Sequence, residues 1–188
     1  KTITQFDSPS NNLKSFMERA FRRPLKENEL SPFLKKYQSS IARGKSEKES
    51  LGDALKVILI TPHFLMRVEE LSEPGKDQLV SHYDMASRLS YFLWASAPDE
   101  ELLLKAKKGM LQDPKVIRSQ IRRMLDDPKS QSLGRIFAGE WLSTDDVGPR
   151  IRKDPIDNPW CTESLMAAMR EETALFFHSL VIKNEPIK

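Results

Sequence analysis

The chain has 188 residues, 39% hydrophobic and 30% charged, with a formal net charge of +3, a globular rather than a disordered composition. A single cysteine excludes an internal disulfide, a cysteine-based zinc site and a C-x-x-C-H haem attachment, and only 7 glycines speak against Gly-rich phosphate loops. Apolar runs such as Val57 to Ile60 fall far short of the roughly 20 residues that a membrane span needs, and the basic stretch Lys35 to Lys48, interrupted by Glu47, reads as a solvated helical face and not as a nucleic-acid surface.

Taken in order, the chain repeats with a helical period throughout. Leu13, Phe16, Met17, Ala20 and Phe21 form the first stripe, with Asn11 or Asn12 as cap and Pro24 as its end. Leu30, Phe33, Leu34, Tyr37 and Ile41 form the second, closed by Gly44, and Pro32 fits only in its first turn. Ser46 to Glu49 reads as a capping box that opens a helix with Leu51, Ala54, Leu55, Ile58 and Leu59 inward. Thr61-Pro62 starts a short helix with Leu65, Val68 and Leu71 inward, and Ser72 to Asp77 is the best linker candidate.

Beyond it, Met85, Leu89, Phe92 and Leu93 mark a helix from about Tyr83 to Ala95. Pro98-Asp99 starts a short helix through Leu102 and Leu103 that ends at Gly109. Asp113-Pro114 opens another with Ile117, Ile121, Met124 and Leu125, and Pro128 separates it from a stripe of Leu133, Ile136, Phe137 and Trp141. Ser143 to Trp160 reads as a long surface loop, and the last helix runs from about Thr162 to Lys183. The expectation is an all-α fold of about eight helices in two packed helical units with no sheet, divided as 1–73 and 78–188.

Two acids break the apolar pattern. Glu140 falls within the stripe of Leu133, Ile136, Phe137 and Trp141, and Glu172 falls among Leu165, Met169, Leu175 and Phe176. A carboxylate turned toward a core must be paired, hydrogen-bonded or protonated. Arg88, at the edge of the stripe of Met85, Leu89 and Phe92, is the natural cation for one of them. Arg88, Glu140 and Glu172 are therefore the candidate catalytic residues of a polar pocket between helices; the plainer reading is a buried ion pair that fixes how the helices dock.

No other constellation is as suggestive. None of the 3 histidines follows a glutamate by three residues, which argues against a di-iron bundle. Glu171 and His178 could both touch a metal, but two residues on one exposed face make no site, so no metal is expected. Cys161 lies at a helix start with no base supplied nearby. Trp94 and Trp141 read as packing residues, whereas Trp160 lies in the polar loop as an anchor for that loop or for a partner.

Several segments together resemble a known pair of domains. Phe16-Met17-Glu18-Arg19-Ala20-Phe21-Arg22-Arg23-Pro24-Leu25 with Thr61-Pro62-His63-Phe64-Leu65 is similar to a small domain of unknown function in large planctomycete-type proteins linked to cytochrome c modules. Tyr83 to Trp94, Pro98 to Leu102, Phe137-Ala138-Gly139-Glu140-Trp141-Leu142 and Met169 to Phe177 resemble the domain that follows it. The resemblance implies a helical structural or interaction module of a larger exported protein, periplasmic or at the cell surface. Its partners would be other domains of the same polypeptide, and any haem would sit in a separate domain, with no cofactor in this chain. The alternative is the catalytic body of an oxidoreductase or hydrolase built on the Arg88, Glu140 and Glu172 pocket. The resemblance brings no catalytic residues with it; Arg88 and Glu172 fall on matching motif positions, and Glu140 stands where relatives often have Gln. The chain starts at Lys1 and is read as a segment of a longer product, with the larger domain stopping before the family's next segment.

Overall fold

The structure is a computed structural model that describes residues 8–67, 69 and 79–184. Among the described residues it is all-α, as the periodicity predicts; the only extended pairing there is an isolated bridge between Val147 and Ile151. The chain divides into two compact units, Lys1–Asp84 and Met85–Lys188. The proposed linker Ser72 to Asp77, and Val68 and Leu71 of the short helix, lie outside the described residues.

In the first unit, α1 (Pro9–Ala20) begins earlier than predicted. Ser8, not Asn11 or Asn12, is its cap, and its hydroxyl accepts from the Asn11 amide, with Pro9 in the first turn where a missing N–H is harmless. The helix ends where Arg22 turns left-handed, two residues before Pro24. α2 (Ser31–Ala42) carries Pro32 in its first turn and is closed by Gly44 at φ +81°. α3 (Glu47–Leu59) opens on the predicted capping box, Ser46 and Glu49 each bonding the other's backbone amide. The four-residue α4 (Pro62–Leu65) follows. Leu13, Met17, Phe21, Ala54 and Ile58 form the buried core, with Phe16, Phe33, Leu34 and Tyr37 packed against it. This is the inward face that the stripes of α1 and α3 define.

The second unit contains most of α5 (His82–Trp94), which starts just ahead of it, then α6 (Glu100–Lys107) and α7 (Pro114–Leu125). Asp99 caps α6 on the Leu102 amide and Asp113 caps α7 on the Lys115 amide. Trp94 is buried and its indole N–H donates to the Met124 carbonyl at 2.7 Å, joining the ends of α5 and α7. Arg123 donates to both Asp99 oxygens at 2.7 and 3.2 Å and lies over the Trp94 ring. After a 3-10 turn at Pro128–Ser130 the chain winds as a π-helix over Leu133–Ala138 and returns to α geometry in α8 (Gly139–Trp141). The predicted loop then holds a 3-10 turn, Thr144–Asp146, before α9 (Glu163–Lys183), capped by Thr162.

Candidate functional site

The π segment and α9 lie backbone to backbone. A side chain at Gly134 would sit on the Ala174 carbonyl oxygen, so this residue is small because α9 passes directly over it. Gly139, in the motif Phe137 to Leu142, is likewise filled: a Cβ there would meet the Asp145 carboxylate, its Cγ 2.8 Å away. At Gly148, φ +96°, the Arg170 guanidinium occupies the space of a side chain and donates to the Val147 carbonyl. Three glycines thus let the π segment, the Thr144–Asp146 turn and α9 approach closely.

Between these elements lies a cleft of about 330 Å³. Arg135, Thr144, Asp145, Arg170 and Glu171 line it together with the small residues Gly139, Ala167 and Ala174. Arg135 grips Glu171 through two parallel bonds, Nε to Oε2 at 3.0 Å and Nη2 to Oε1 at 2.6 Å. That grip holds the Glu171 carboxyl below its ordinary range and the Arg135 guanidinium above its own. Arg170 reaches Glu163 at 3.8 Å besides the Val147 carbonyl. The cleft's charges are thus answered largely within the protein. What it offers a ligand is a small recess of mixed polar and apolar lining.

The three residues singled out from the sequence stand elsewhere. Glu140, Glu172 and Arg88 are all exposed, so the expectation of buried carboxylates is corrected. Their neighbours are the apolar residues that the pattern names, but that apolar surface itself faces outward: Trp141 is 67% exposed and Phe176 60%. Burial therefore supplies no reason for either side chain to be paired with a cation. One position round α9 from Glu172, Glu171 is the acid that faces a guanidinium. His178 is engaged separately. Its Nε2 lies 2.9 Å from the Ser130 hydroxyl, which donates to the Leu125 carbonyl at 2.8 Å; with its single proton so used, the hydroxyl accepts from the ring. Glu171 and His178 therefore serve different partners. Among the described residues no group of three His, Cys, Asp or Glu side chains could hold a metal ion, and no helix is long and apolar enough to cross a membrane. Cys161 is a free, partly buried thiol, and Trp160 is exposed.

Sequence reasoning missed the polar centre of the first unit. Arg22 is buried at φ +60°, and its guanidinium donates to the carbonyls of Ala20 (3.1 Å), His63 (2.9 Å), Phe64 (3.3 Å) and Met66 (2.9 Å). It ties the end of α1 to α4 and its exit. Next to it Arg23 grips Glu29 at 2.8 and 2.7 Å, His63 lies 3.8 Å from Glu29, and the Phe21 and His63 rings are 5.2 Å apart. The Arg23 bonds, with the Lys26 amide and the nearby His63 helping, hold the Glu29 carboxyl down at about 2 against the opposing effect of burial. The signal was present: Arg22-Arg23 directly follows an apolar stripe, and the segments that carry the resemblance, Phe16 to Leu25 and Thr61 to Leu65, are the two that this arginine joins.

Comparison with known protein families gives two matches. Residues 80–188 match a family model described as "Protein of unknown function (DUF1592)", and residues 10–69 match one described as "Protein of unknown function (DUF1595)". No curated protein matches the chain, and no solved structure does. The pairing of two domains of unknown function agrees with the resemblance read from the motifs. With more than half of its length matched, the chain belongs to the DUF1592 family and carries a DUF1595-like segment ahead of that domain.

Proposed function

We propose that this chain is a helical structural and interaction module of a larger, exported, cytochrome c-associated protein, and that it works by docking other domains of the same polypeptide. The observation that supports this is the open aromatic face of the second unit. Phe92, Phe137, Trp141 and Phe177 form a chain of ring contacts with centroids 5.5 to 6.5 Å apart, yet Phe92, Phe137 and Trp141 remain exposed. Apolar faces of this kind mark interaction surfaces. The cytochrome c and export components draw their support from the motif resemblance. The test is to isolate the full-length protein from its native source, then record a haem spectrum and sequence its N-terminus. Covalent haem and a processed N-terminus are expected; a haem-free protein with an unprocessed N-terminus would contradict the reading.

A further inference from the structure

Arg135 borders a second recess in the second unit. It holds about 400 Å³ and is bounded by Trp94 and Ser96 at the end of α5, by Lys129 and Gln131 at the 3-10 turn, and by Arg135 and Ile136 of the π segment. That volume falls within the roughly 300–1,000 Å³ typical of ligand pockets. The wall is mostly apolar, and no carboxylate belongs to it. Of its two cations, Arg135 is offset by the paired bonds to Glu171. Lys129 is not offset. Its ammonium stands 4.6 Å from the centre of the Trp94 ring and makes no ion pair among the described residues. The neighbouring acids are engaged elsewhere: Asp99 accepts from Arg123 at 2.7 and 3.2 Å, and Asp127 accepts from the Lys129 backbone amide at 2.9 Å. The recess therefore sets one uncompensated positive charge beside apolar surface.

The polar atoms of the wall are unevenly used. Ser132 spends its proton on the Leu93 and Lys129 carbonyls, at 3.1 and 2.8 Å, and has none left to donate. The side-chain amide of Gln131, by contrast, has no bond among the described residues. The Ser96 hydroxyl is buried and has no partner there either. A buried polar atom without a protein partner points to a water or a ligand group at the site. We infer that this recess binds a small organic monocarboxylate, its carboxylate at the Lys129 ammonium and the Gln131 amide and its apolar body against Pro128 and Ile136. A single uncompensated charge matches a monoanion, and a bare phosphate or sulfate would find too few donors on so apolar a wall. The inference is independent of the module reading above.

The test is calorimetric titration of the full-length polypeptide with benzoate and with benzamide, its uncharged counterpart of the same shape, in wild type and in Lys129→Gln. Benzoate is expected to bind with a dissociation constant of about 1 mM or tighter. Benzamide is expected to bind about tenfold more weakly, and Lys129→Gln to weaken benzoate by about tenfold while leaving benzamide unchanged. Gln131→Leu decides the matter should Lys129→Gln lower the helical circular dichroism; a loss of about threefold or more in benzoate affinity is expected of it. The absence of saturable benzoate binding would overturn the inference. So would equal affinity for benzoate and benzamide, or wild-type benzoate affinity in the folded Lys129→Gln variant or, where that one fails to fold, in Gln131→Leu.

Discussion

Arg22 shows how much one side chain can be asked to hold. Its backbone is left-handed, which costs a non-glycine residue about 1–2 kcal/mol. Against that, its guanidinium makes charge-assisted bonds at 2.9 Å to both His63 and Met66 carbonyls, each worth roughly 1.5–3 kcal/mol. The side chain outweighs the strain. Arg22→Gly is therefore expected to destabilise the first unit by about 2–3 kcal/mol although it relaxes the backbone, and Arg22→Met by more, since it keeps the strain. Chemical denaturation checks both; a gain in stability for Arg22→Gly would reverse the argument. Glu29 supplies a pH dependence. Its carboxyl is lowered from 4.5 to about 2 in the folded chain, so its contribution is present above about 4.5 and is lost as pH falls from there toward about 2. Glu29→Gln is expected to flatten the acid limb of the stability curve in that window, and an unchanged limb would show that other carboxylates govern it.

Among elements, the π segment has the clearest consequence. Gly134 and Gly139 both lack room for a Cβ, but for different reasons. At Gly134 the obstacle is the Ala174 backbone carbonyl, which cannot move without α9; at Gly139 it is the tip of the Asp145 side chain, which can swing away. Gly134→Ala is expected to cost about 1–3 kcal/mol and Gly139→Ala clearly less, measured by thermal or denaturant unfolding of the two variants side by side. Equal costs would mean that α9 does not pass as tightly over Gly134. The elements themselves were legible: the stripes of α1 to α3, the capping box at Ser46 and the aspartate caps at Asp99 and Asp113 follow from local chemistry alone. The π winding was not, because the stripe Leu133, Ile136, Phe137 and Trp141 also fits a 3.6-residue period, and the wider π turn rotates which positions face inward. Arg135, in that segment, bonds Glu171 and not the more conspicuous Glu172.

At the scale of the molecule, the helices, the first unit's core and a family resemblance were legible in the residues, but which apolar stripes are covered within this chain was not. Glu140 and Glu172 looked buried because their neighbours are Phe, Trp and Met; an apolar stripe is the same on paper whether its cover belongs to the same chain or comes from elsewhere. That ambiguity resolves into the central claim, that the face around Trp141 is a docking surface. Acrylamide quenching of tryptophan fluorescence tests it most directly. In a Trp160→Phe background the buried Trp94 stays silent and Trp141 reports. The account predicts that Trp141 is freely quenched in residues 1–188 alone and shielded in the full-length polypeptide; equal quenching in both would contradict it.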